Sequence, residues 1–229
     1  MRITYLENSG FSVKLGKTLL VFDECNGKPD RNGKGVVTRG QVEAAEKSCL
    51  FLSHSHSDHW CREALSLPFT EVFLSDEFPK GYRGHRLSEG QTLNLPDLTV
   101  RAFGSTDLGV SFLVDVEGKR IFHAGDLNLW HWEDESTEEE IKEATDWFER
   151  ILGTLAPYAG TIDLCFFPVD PRMGKNTARG AHRIQEVLHP KAFVPMHFMR
   201  VSGEVTDFAA QYENVTLLTE RGEQTEILL

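Results

Sequence analysis

The first third of the chain consists of short runs in which apolar and β-branched residues alternate with polar ones, a pattern typical of β-strands. Small turn-forming residues separate the runs, as hairpin connections would. The pattern predicts strands over residues 2–7, 10–15, 18–23, 48–53 and 70–75. An antiparallel meander is the simplest arrangement of the first three.

Segments 26–41 and 76–90 interrupt this pattern. Both are rich in glycine and carry mixed charges with few apolar positions. Such a composition predicts loops, and the first loop could overhang a site. A short helix is predicted between them, over residues 62–67, and His85 is interpreted as a surface histidine.

A second block of strands precedes a helical region. Strands are predicted over residues 91–95, 98–104, 110–116 and 119–124. Thr137 then begins a capping box, and apolar residues recur at helical spacing as far as Leu155. The remainder alternates, with strands predicted over 162–169, 191–197, 215–219 and 224–228 and helices over 177–188 and 204–212.

The chain thus has two blocks of strands, each followed by helical segments. This order predicts an α/β (α+β) fold in which two sheets pack together with helices outside. The 229 residues are enough for one sizeable core. We therefore expect a single domain over residues 1–229.

Charge and composition limit the partners and the location that we expect for the protein. The net charge of -11 repels polyanions, so neither nucleic acid nor an anionic membrane is an expected partner. The chain begins as an alternating strand rather than as a signal peptide, and no apolar window approaches the roughly 20 residues that span a bilayer. Four scattered cysteines without a CxxC pair indicate reduced thiols. We expect a cytoplasmic protein that acts on a small molecule, and the sequence indicates no oligomeric state.

One stretch concentrates ligands for a metal ion. His54, His56, Asp58 and His59 lie within six residues, directly after the apolar run of residues 49–52. The end of a buried strand can hold such side chains rigidly, and imidazole and carboxylate bind first-row metals. Without a metal ion, imidazole and carboxylate groups packed this tightly would repel or compete with one another when protonated. A metal site is therefore favoured over a polar loop that happens to be rich in histidine.

The spacing H-x-H-x-D-H resembles the signature of the metallo-β-lactamase superfamily. The resemblance implies a four-layer αβ/βα sandwich with the site along one edge between the sheets. It implies that His54 and His56 bind one metal ion and that Asp58 and His59 bind a second. Zinc, as one or two ions, is the expected cofactor, with manganese or iron as alternatives.

Other strand ends are similar to further motifs of the superfamily. Asp126 ends a Gly-Asp pair like that of the fourth motif, whose carboxylate can bridge two metals, and His197 ends a strand as the fifth motif does. Asp23 would support a metal-binding histidine through a hydrogen bond, with a turn-forming role as the alternative. His123 faces away from Ala124 by strand alternation, which predicts a supporting position outside the ligand set.

The chain departs from the superfamily at the third motif, which usually supplies a histidine. Ser105 takes its place, and a hydroxyl is a poor ligand for a zinc-type ion. Asp107 could complete the first site and would make it richer in oxygen. Three arrangements remain open: two metals with Asp107 as substitute ligand, one metal in the second site, or a degraded site without catalysis.

Hydrolysis is the reaction that the resemblance implies, because a metal ion activates water and polarises the attacked oxygen. The leading hypothesis is a metal-dependent hydrolase of a small anionic ester, lactone or phosphodiester, with Asp58 or Asp126 taking the proton of the water. In its compact length the chain is most similar to the branch that includes ascorbate-6-phosphate lactonase-like proteins. The alternatives are an RNA or DNA nuclease of the same superfamily, which the acidity disfavours, and a non-catalytic metal or ligand sensor, which the missing histidine favours.

Aromatic and basic residues that follow the Gly-Asp pair in the chain are further candidates for a binding site. Trp130 and Trp132 could line a cleft, with core packing as the alternative. Arg172, Lys175 and Arg179 could hold an anion, although a solvated basic loop is the simpler interpretation.

Overall fold

The computed structural model describes residues 1–132 and 134–228, which form two β-sheets with helices on their outer faces. In chain order the strands are β1 (Arg2–Glu7), β2 (Gly10–Leu15), β3 (Thr18–Phe22), β4 (Lys47–Leu52), β5 (Glu71–Ser75), β6 (His85–Leu87), β7 (Thr92–Leu95), β8 (Leu98–Phe103), β9 (Ser111–Val116), β10 (Lys119–His123), β11 (Leu164–Pro168), β12 (Ala192–Met196) and β13 (Gln224–Glu226). The α-helices are α1 (Arg39–Glu43), α2 (Arg62–Leu65), α3 (Glu138–Leu155), α4 (Arg179–Leu188) and α5 (Gly203–Ala210), and short 3-10 helices cover Ala156–Tyr158 and Pro171–Asn176.

The first sheet has the strand order β13-β1-β2-β3-β4-β5-β6. Strands β1, β2 and β3 form the predicted antiparallel meander. From β3 to β6 every pairing is parallel, so β3 and β4 end at the same edge of the sheet. The segments that follow them, beginning at Asp23 and Ser53, therefore start side by side.

The second sheet has the order β12-β11-β10-β9-β8-β7. Its strands β10, β11 and β12 are parallel, whereas β7 to β10 pair antiparallel. Parallel pairing brings the carboxyl ends of three strands to one edge. The chain segments that leave this edge carry Asp126, Asp170 and His197.

Strand alternation sorts the side chains of the first sheet into two layers. Phe11, Phe22 and Phe51 point toward the second sheet, where Phe11 meets Phe166 with ring centroids 4.5 Å apart. Leu50 and its neighbours on the opposite face pack under α1 and α2. Helices α3 and α4 cover the second sheet against β8 and β11. The order of helices, sheet, sheet and helices confirms the predicted four-layer αβ/βα sandwich.

Several boundaries differ from the sequence predictions. The predicted strand over 215–219 is wrong, because Val215 makes a single bridge to Phe193 and the chain then turns toward the edge of the first sheet, where Gly222 donates to the carbonyl of Tyr5 at 2.7 Å. Segment 76–90 is not wholly irregular, since it contains β6. Segment 26–41 runs into α1, which begins at a capping box on Thr38.

Helix α3 begins where the sequence predicts. The side chain of Thr137 accepts from the backbone of Glu140, whose carboxylate reaches back to the backbone of Thr137. This reciprocal pair satisfies donors that a helix start leaves open. Among the described residues, no helix is both long and apolar enough to cross a membrane.

Candidate metal centre

The predicted ligands lie together where the edges of the two sheets face each other. Two groups have ligand atoms within 4.8 Å of one another: His54, His56 and Asp126 form the first group, and Asp58, His59 and His197 form the second. The motif loop after β4 supplies four of these residues, and the turns after β10 and β12 supply the other two. The structure thus brings together all six residues that the sequence analysis singled out as ligands.

The first group is compact but unequally buried. His54 Nε2 lies 3.0 Å from His56 Nδ1 and 3.4 Å from Asp126 Oδ2. Ligand atoms about 3.3 Å apart are what tetrahedral coordination at about 2.05 Å requires. His54 is fully buried, whereas the side chain of His56 is 48% exposed. This group therefore opens to solvent on one side.

The second group shares Asp126 with the first. Asp126 Oδ1 lies 3.1 Å from His59 Nε2 and 3.2 Å from His197 Nε2. Asp58 Oδ2 lies 3.7 Å and 3.8 Å from the same two nitrogens. Asp126 sends one carboxylate oxygen to each group, as a bridging carboxylate would.

Three of these atoms are buried without a hydrogen-bond partner among the described residues: His59 Nε2, His197 Nε2 and Asp126 Oδ1. A polar atom left unpaired in the interior carries a cost of about 1–3 kcal/mol. Three converging on one point are the arrangement that a cation coordinated by two imidazoles and a carboxylate would satisfy. The residues present therefore fit a metal ion.

Hydrogen bonds at the far side of each ring fix which nitrogen is free. His59 Nδ1 donates to Asp23 Oδ2 at 2.8 Å. The hydroxyl of Ser53 also donates to Asp23, at 2.6 Å, and is left to accept from His54 Nδ1 at 2.9 Å. Because Nδ1 is committed to these hydrogen bonds, Nε2 is the nitrogen of each ring that is available to bind a metal ion. Asp23 thus lies behind His59 and Ser53, in the position that one of the two interpretations of the sequence gave it.

Asp170 holds His197 in the same way, and the sequence analysis missed it. Its Oδ2 lies 3.0 Å from His197 Nδ1, and Arg172 donates to both of its carboxylate oxygens. Asp170 is 1% exposed. The signal was present in the sequence, because Asp170 follows a fully apolar strand just as Asp23 follows β3.

His123, at the end of β10, and Asn8, in the turn of the hairpin between β1 and β2, support the centre. His123 Nε2 donates to the carbonyl of Ser9 at 2.8 Å, and its Nδ1 accepts from Gly125 at 3.2 Å, so neither ring nitrogen is free for a metal. Asn8 Nδ2 donates to Asp58 Oδ2 at 3.1 Å. No feature of the sequence pointed to Asn8.

Ser105 and Asp107 lie beside the first group without joining it. Asp107 Oδ2 is 3.8 Å from His56 Nδ1, and its side chain is 48% exposed. The buried Ser105 hydroxyl accepts from the backbone of Asp107 at 3.2 Å, which ties the two residues into one turn. The carboxylate is within reach of the first group but is less firmly held than the six other ligands.

The carboxylates and the histidines of the centre shift one another's pKa. Burial lowers the pKa of His59, but the charges of Asp126 and Asp23 outweigh that effect and raise the pKa to about 10. Burial would raise the pKa of Asp126, yet the neighbouring histidines, His59 foremost, hold it well below its usual range. The acidic residues thus favour positive charge at this point, whether it is a proton or a metal ion.

A cavity of about 350 Å³ opens onto the centre. It reaches Asp126 and His197 at its base, and its walls include Trp130, Trp132 and Arg172. The two tryptophans therefore line the cleft, as one of the sequence interpretations had it. Lys175 and Arg179 do not line it, and Lys175 pairs with Asp134 at 2.9 Å.

The two sheets with their outer helices and the paired ligand groups define a protein of the metallo-β-lactamase fold, which confirms the fold predicted from the sequence. The protein resembles the metallo-β-lactamase fold protein YhfI of Bacillus subtilis, with a TM-score of 0.60, 12% identity and 98% of each chain covered. It also resembles Igni18, a metallo hydrolase of the archaeon Ignicoccus hospitalis, with a TM-score of 0.68, 19% identity and 99% of each chain covered.

In sequence, the chain is 24% identical over 241 residues to a UPF0173 metal-dependent hydrolase of Heliobacterium modesticaldum, across 96% of this chain and 92% of the relative. No model of a protein family matches the sequence. The similarity to ascorbate-6-phosphate lactonase-like proteins stays a prediction.

Proposed function

We propose that this protein is a metal-dependent hydrolase of a small anionic ester, lactone or phosphodiester. The observation that carries the proposal is the convergence of His59 Nε2, His197 Nε2 and Asp126 Oδ1, all buried and without hydrogen-bond partners among the described residues. The name of the relative in Heliobacterium modesticaldum, a metal-dependent hydrolase, supports the same class of reaction.

Each predicted ligand has a role in this proposal. His54, His56 and Asp126 would hold a first ion, and Asp58, His59 and His197 would hold a second together with Asp126. A bound divalent ion lowers the pKa of water and polarises the carbonyl or phosphoryl oxygen under attack. Zinc is the proposed cofactor, and an Asp107 ligand in the first site would favour manganese or iron there.

The proton of the attacking water needs an acceptor, and the two catalytic candidates differ in suitability. Asp126 is 4% exposed, and both of its oxygens face imidazoles of the two groups. The side chain of Asp58 is 53% exposed, and Asn8 holds one of its oxygens. Asp58 is therefore the better proton acceptor, because its carboxylate can reach solvent while remaining beside the ligands.

The preference for a small substrate rests on size and charge. The cavity of about 350 Å³ suits a compact molecule, and the net charge of -11 opposes a long polyanion. Among the described residues that line the cavity, Arg172 is the only arginine or lysine. A nuclease would need a basic track along the backbone of its substrate.

Metal analysis together with a turnover assay tests the proposal. The purified protein should contain zinc, manganese or iron, and His56→Ala or Asp58→Ala should lower both the metal content and the hydrolysis of a panel of lactones, esters and phosphodiesters. His85→Ala is the matched control, because His85 pairs with Glu71 on the first sheet and takes no part in the centre.

The outcome separates the proposed hydrolase from a sensor. Metal content without hydrolysis of any substrate in the panel would favour a non-catalytic binding protein. A protein that takes up none of the three metals on titration would refute the proposal altogether.

A further inference from the structure

The cavity beside the candidate metal centre has two indole rings in its walls. Trp130 Nε1 donates to the carbonyl of Asp126 at 2.8 Å, and Trp132 Nε1 donates to the carbonyl of Arg172 at 3.1 Å. Because both N–H groups are used inside the protein, the rings offer a ligand only apolar and π surface. The hydrogen bonds also fix the rings in place, so this surface exists before a ligand binds.

Trp132 is 43% exposed at the mouth of a cavity whose remaining walls are mostly polar. Large aromatic side chains are normally covered, and an exposed one beside convergent polar groups is typical of a binding site.

Arg172 supplies the charge that the rings lack. Its Nε and Nη2 bind the buried Asp170, which fixes the guanidinium plane. Its Nη1 has no hydrogen bond to the described residues, and the side chain is 61% exposed. A rigid, partly free guanidinium is suited to one planar anionic group such as a carboxylate.

We propose that this cavity selects substrates with a flat aromatic or conjugated body that carries a negatively charged group, the body lying against Trp130 and Trp132 and the charge on Arg172. The inference rests on the proposed hydrolase function and names its substrate class. Both contacts lie within the cavity whose base is Asp126 and His197, so a molecule held by them would present its scissile bond to the ligand atoms.

Binding of three probes to the zinc-loaded protein, measured by calorimetry without turnover, tests the inference. Phenylacetate carries a ring and a charge, cyclohexylacetate has the charge with a ring that is not flat, and phenylacetamide has the flat ring without the charge. Phenylacetate should bind about five-fold more tightly than cyclohexylacetate, since an aromatic pair contributes a few-fold in affinity beyond its buried area. It should bind about ten-fold more tightly than phenylacetamide.

Variants assign each preference to its residue. Trp132→Ala should abolish the preference for the flat ring, whereas Trp132→Phe should keep most of it. Trp147→Ala is the matched control and should change nothing, because Trp147 is 45% exposed on α3 and does not line the cavity. Arg172→Gln should remove the preference for the charged probe, and Arg172→Lys should restore part of it.

Equal binding of the three probes, or a preference for phenylacetate that survives Trp132→Ala and Arg172→Gln, would overturn the inference. In the second case the metal ions themselves would hold the carboxylate. Failure of the proposed function is a separate result: selective binding of phenylacetate by a protein that hydrolyses no ester refutes the hydrolase alone, and ester hydrolysis without selective binding refutes this inference alone.

Discussion

Asn8 joins the first hairpin to the second ligand group through both its side chain and its backbone. Its Nδ2 donates to Asp58 Oδ2 at 3.1 Å, and its carbonyl accepts from the backbone of His197 at 3.2 Å. Its φ of 52° lies in the left-handed region, which asparagine and glycine tolerate better than other residues. A single residue thus orients one ligand and fixes the turn that carries another.

Asn8→Gly should weaken metal binding about ten-fold, because the backbone bonds remain while the amide that orients Asp58 is lost. Asn8→Asp removes the same donor but adds negative charge beside the ligands, so it should weaken metal binding less than Asn8→Gly does. Competition with a chromogenic chelator measures the affinity, and the melting temperature of the metal-free variants shows whether the fold is intact. An affinity for metal that is unchanged in Asn8→Gly would mean that Asp58 needs no such support.

How far single residues can be predicted depends on where their partners lie in the chain. The motif loop is contiguous, and Asp126 and His197 each end an apolar strand, so all six ligands could be proposed from the sequence. Asp170 also follows such a strand but was overlooked, because Asp23 was proposed from the family resemblance, which named no residue at Asp170. Asn8 could not have been found, since its contact with Asp58 exists only once the first hairpin packs on the motif loop.

At the scale of elements, the connection between β8 and β9 carries Asp107, the residue on which a second metal ion would depend. Gly109, with φ 75°, approaches the motif loop so closely that a Cβ there would lie 2.0 Å from the carbonyl oxygen of Ser53. Val110 donates to the same oxygen at 3.1 Å. The connection is therefore anchored at its end, with Asp107 two residues before the anchor and 3.8 Å from His56.

If Asp107 completes the first site, Asp107→Ala should lower the stoichiometry from two metal ions to one, because the half-exposed His56 and an Asp126 shared with the second group would leave the first ion the weaker set of ligands. Elemental analysis after equilibration with limited free metal measures this. Asp97→Ala is the control, as Asp97 is an exposed carboxylate far along the second sheet. Two ions bound by both variants would exclude the substitution, and one ion bound by the unchanged protein would favour the arrangement with a single metal.

Helices and strands were predicted well where the apolar pattern was long. They were predicted poorly where only a few residues pair with a neighbouring strand. Helix α3 and the strands of the meander were expected at nearly their observed bounds, because 18 residues at helical spacing or three adjacent alternating runs leave little choice. The three-residue strand β6 and the single bridge at Val215 depend on neighbours that the local pattern does not reveal.

On the scale of the whole molecule, the two sheets face each other with the carboxyl ends of their parallel strands at one edge. A carboxyl group that is unfavourable to bury, that of Glu24, lies close to this edge. Glu24 follows Asp23 directly and is 2% exposed. Its Oε2 accepts from the backbone of Val37 at 3.1 Å, while its Oε1 has no partner among the described residues. Burial raises the pKa of Glu24 to about 8 against this hydrogen bond.

The raised pKa makes global stability depend on pH. Between pH 4.5 and about 8 the folded protein binds a proton at Glu24 that the unfolded chain has already released. The contribution of Glu24 to the free energy of unfolding therefore becomes less favourable as the pH rises through that window. Below pH 4.5 both states are protonated and the penalty is absent. Above about pH 8 the penalty reaches its full size, on the order of 5 kcal/mol.

Glu24→Gln keeps an acceptor for Val37 without the charge, so the variant should match the unchanged protein near pH 5 and exceed it in free energy of unfolding by pH 9. Urea denaturation at both pH values in the presence of a chelator isolates this effect from metal binding. Glu46→Gln, which alters an exposed carboxylate, should show no such pH dependence. A stability difference between Glu24→Gln and the unchanged protein that stays constant from pH 5 to pH 9 would mean that water reaches Glu24 and that the interior beside the metal centre is not dry.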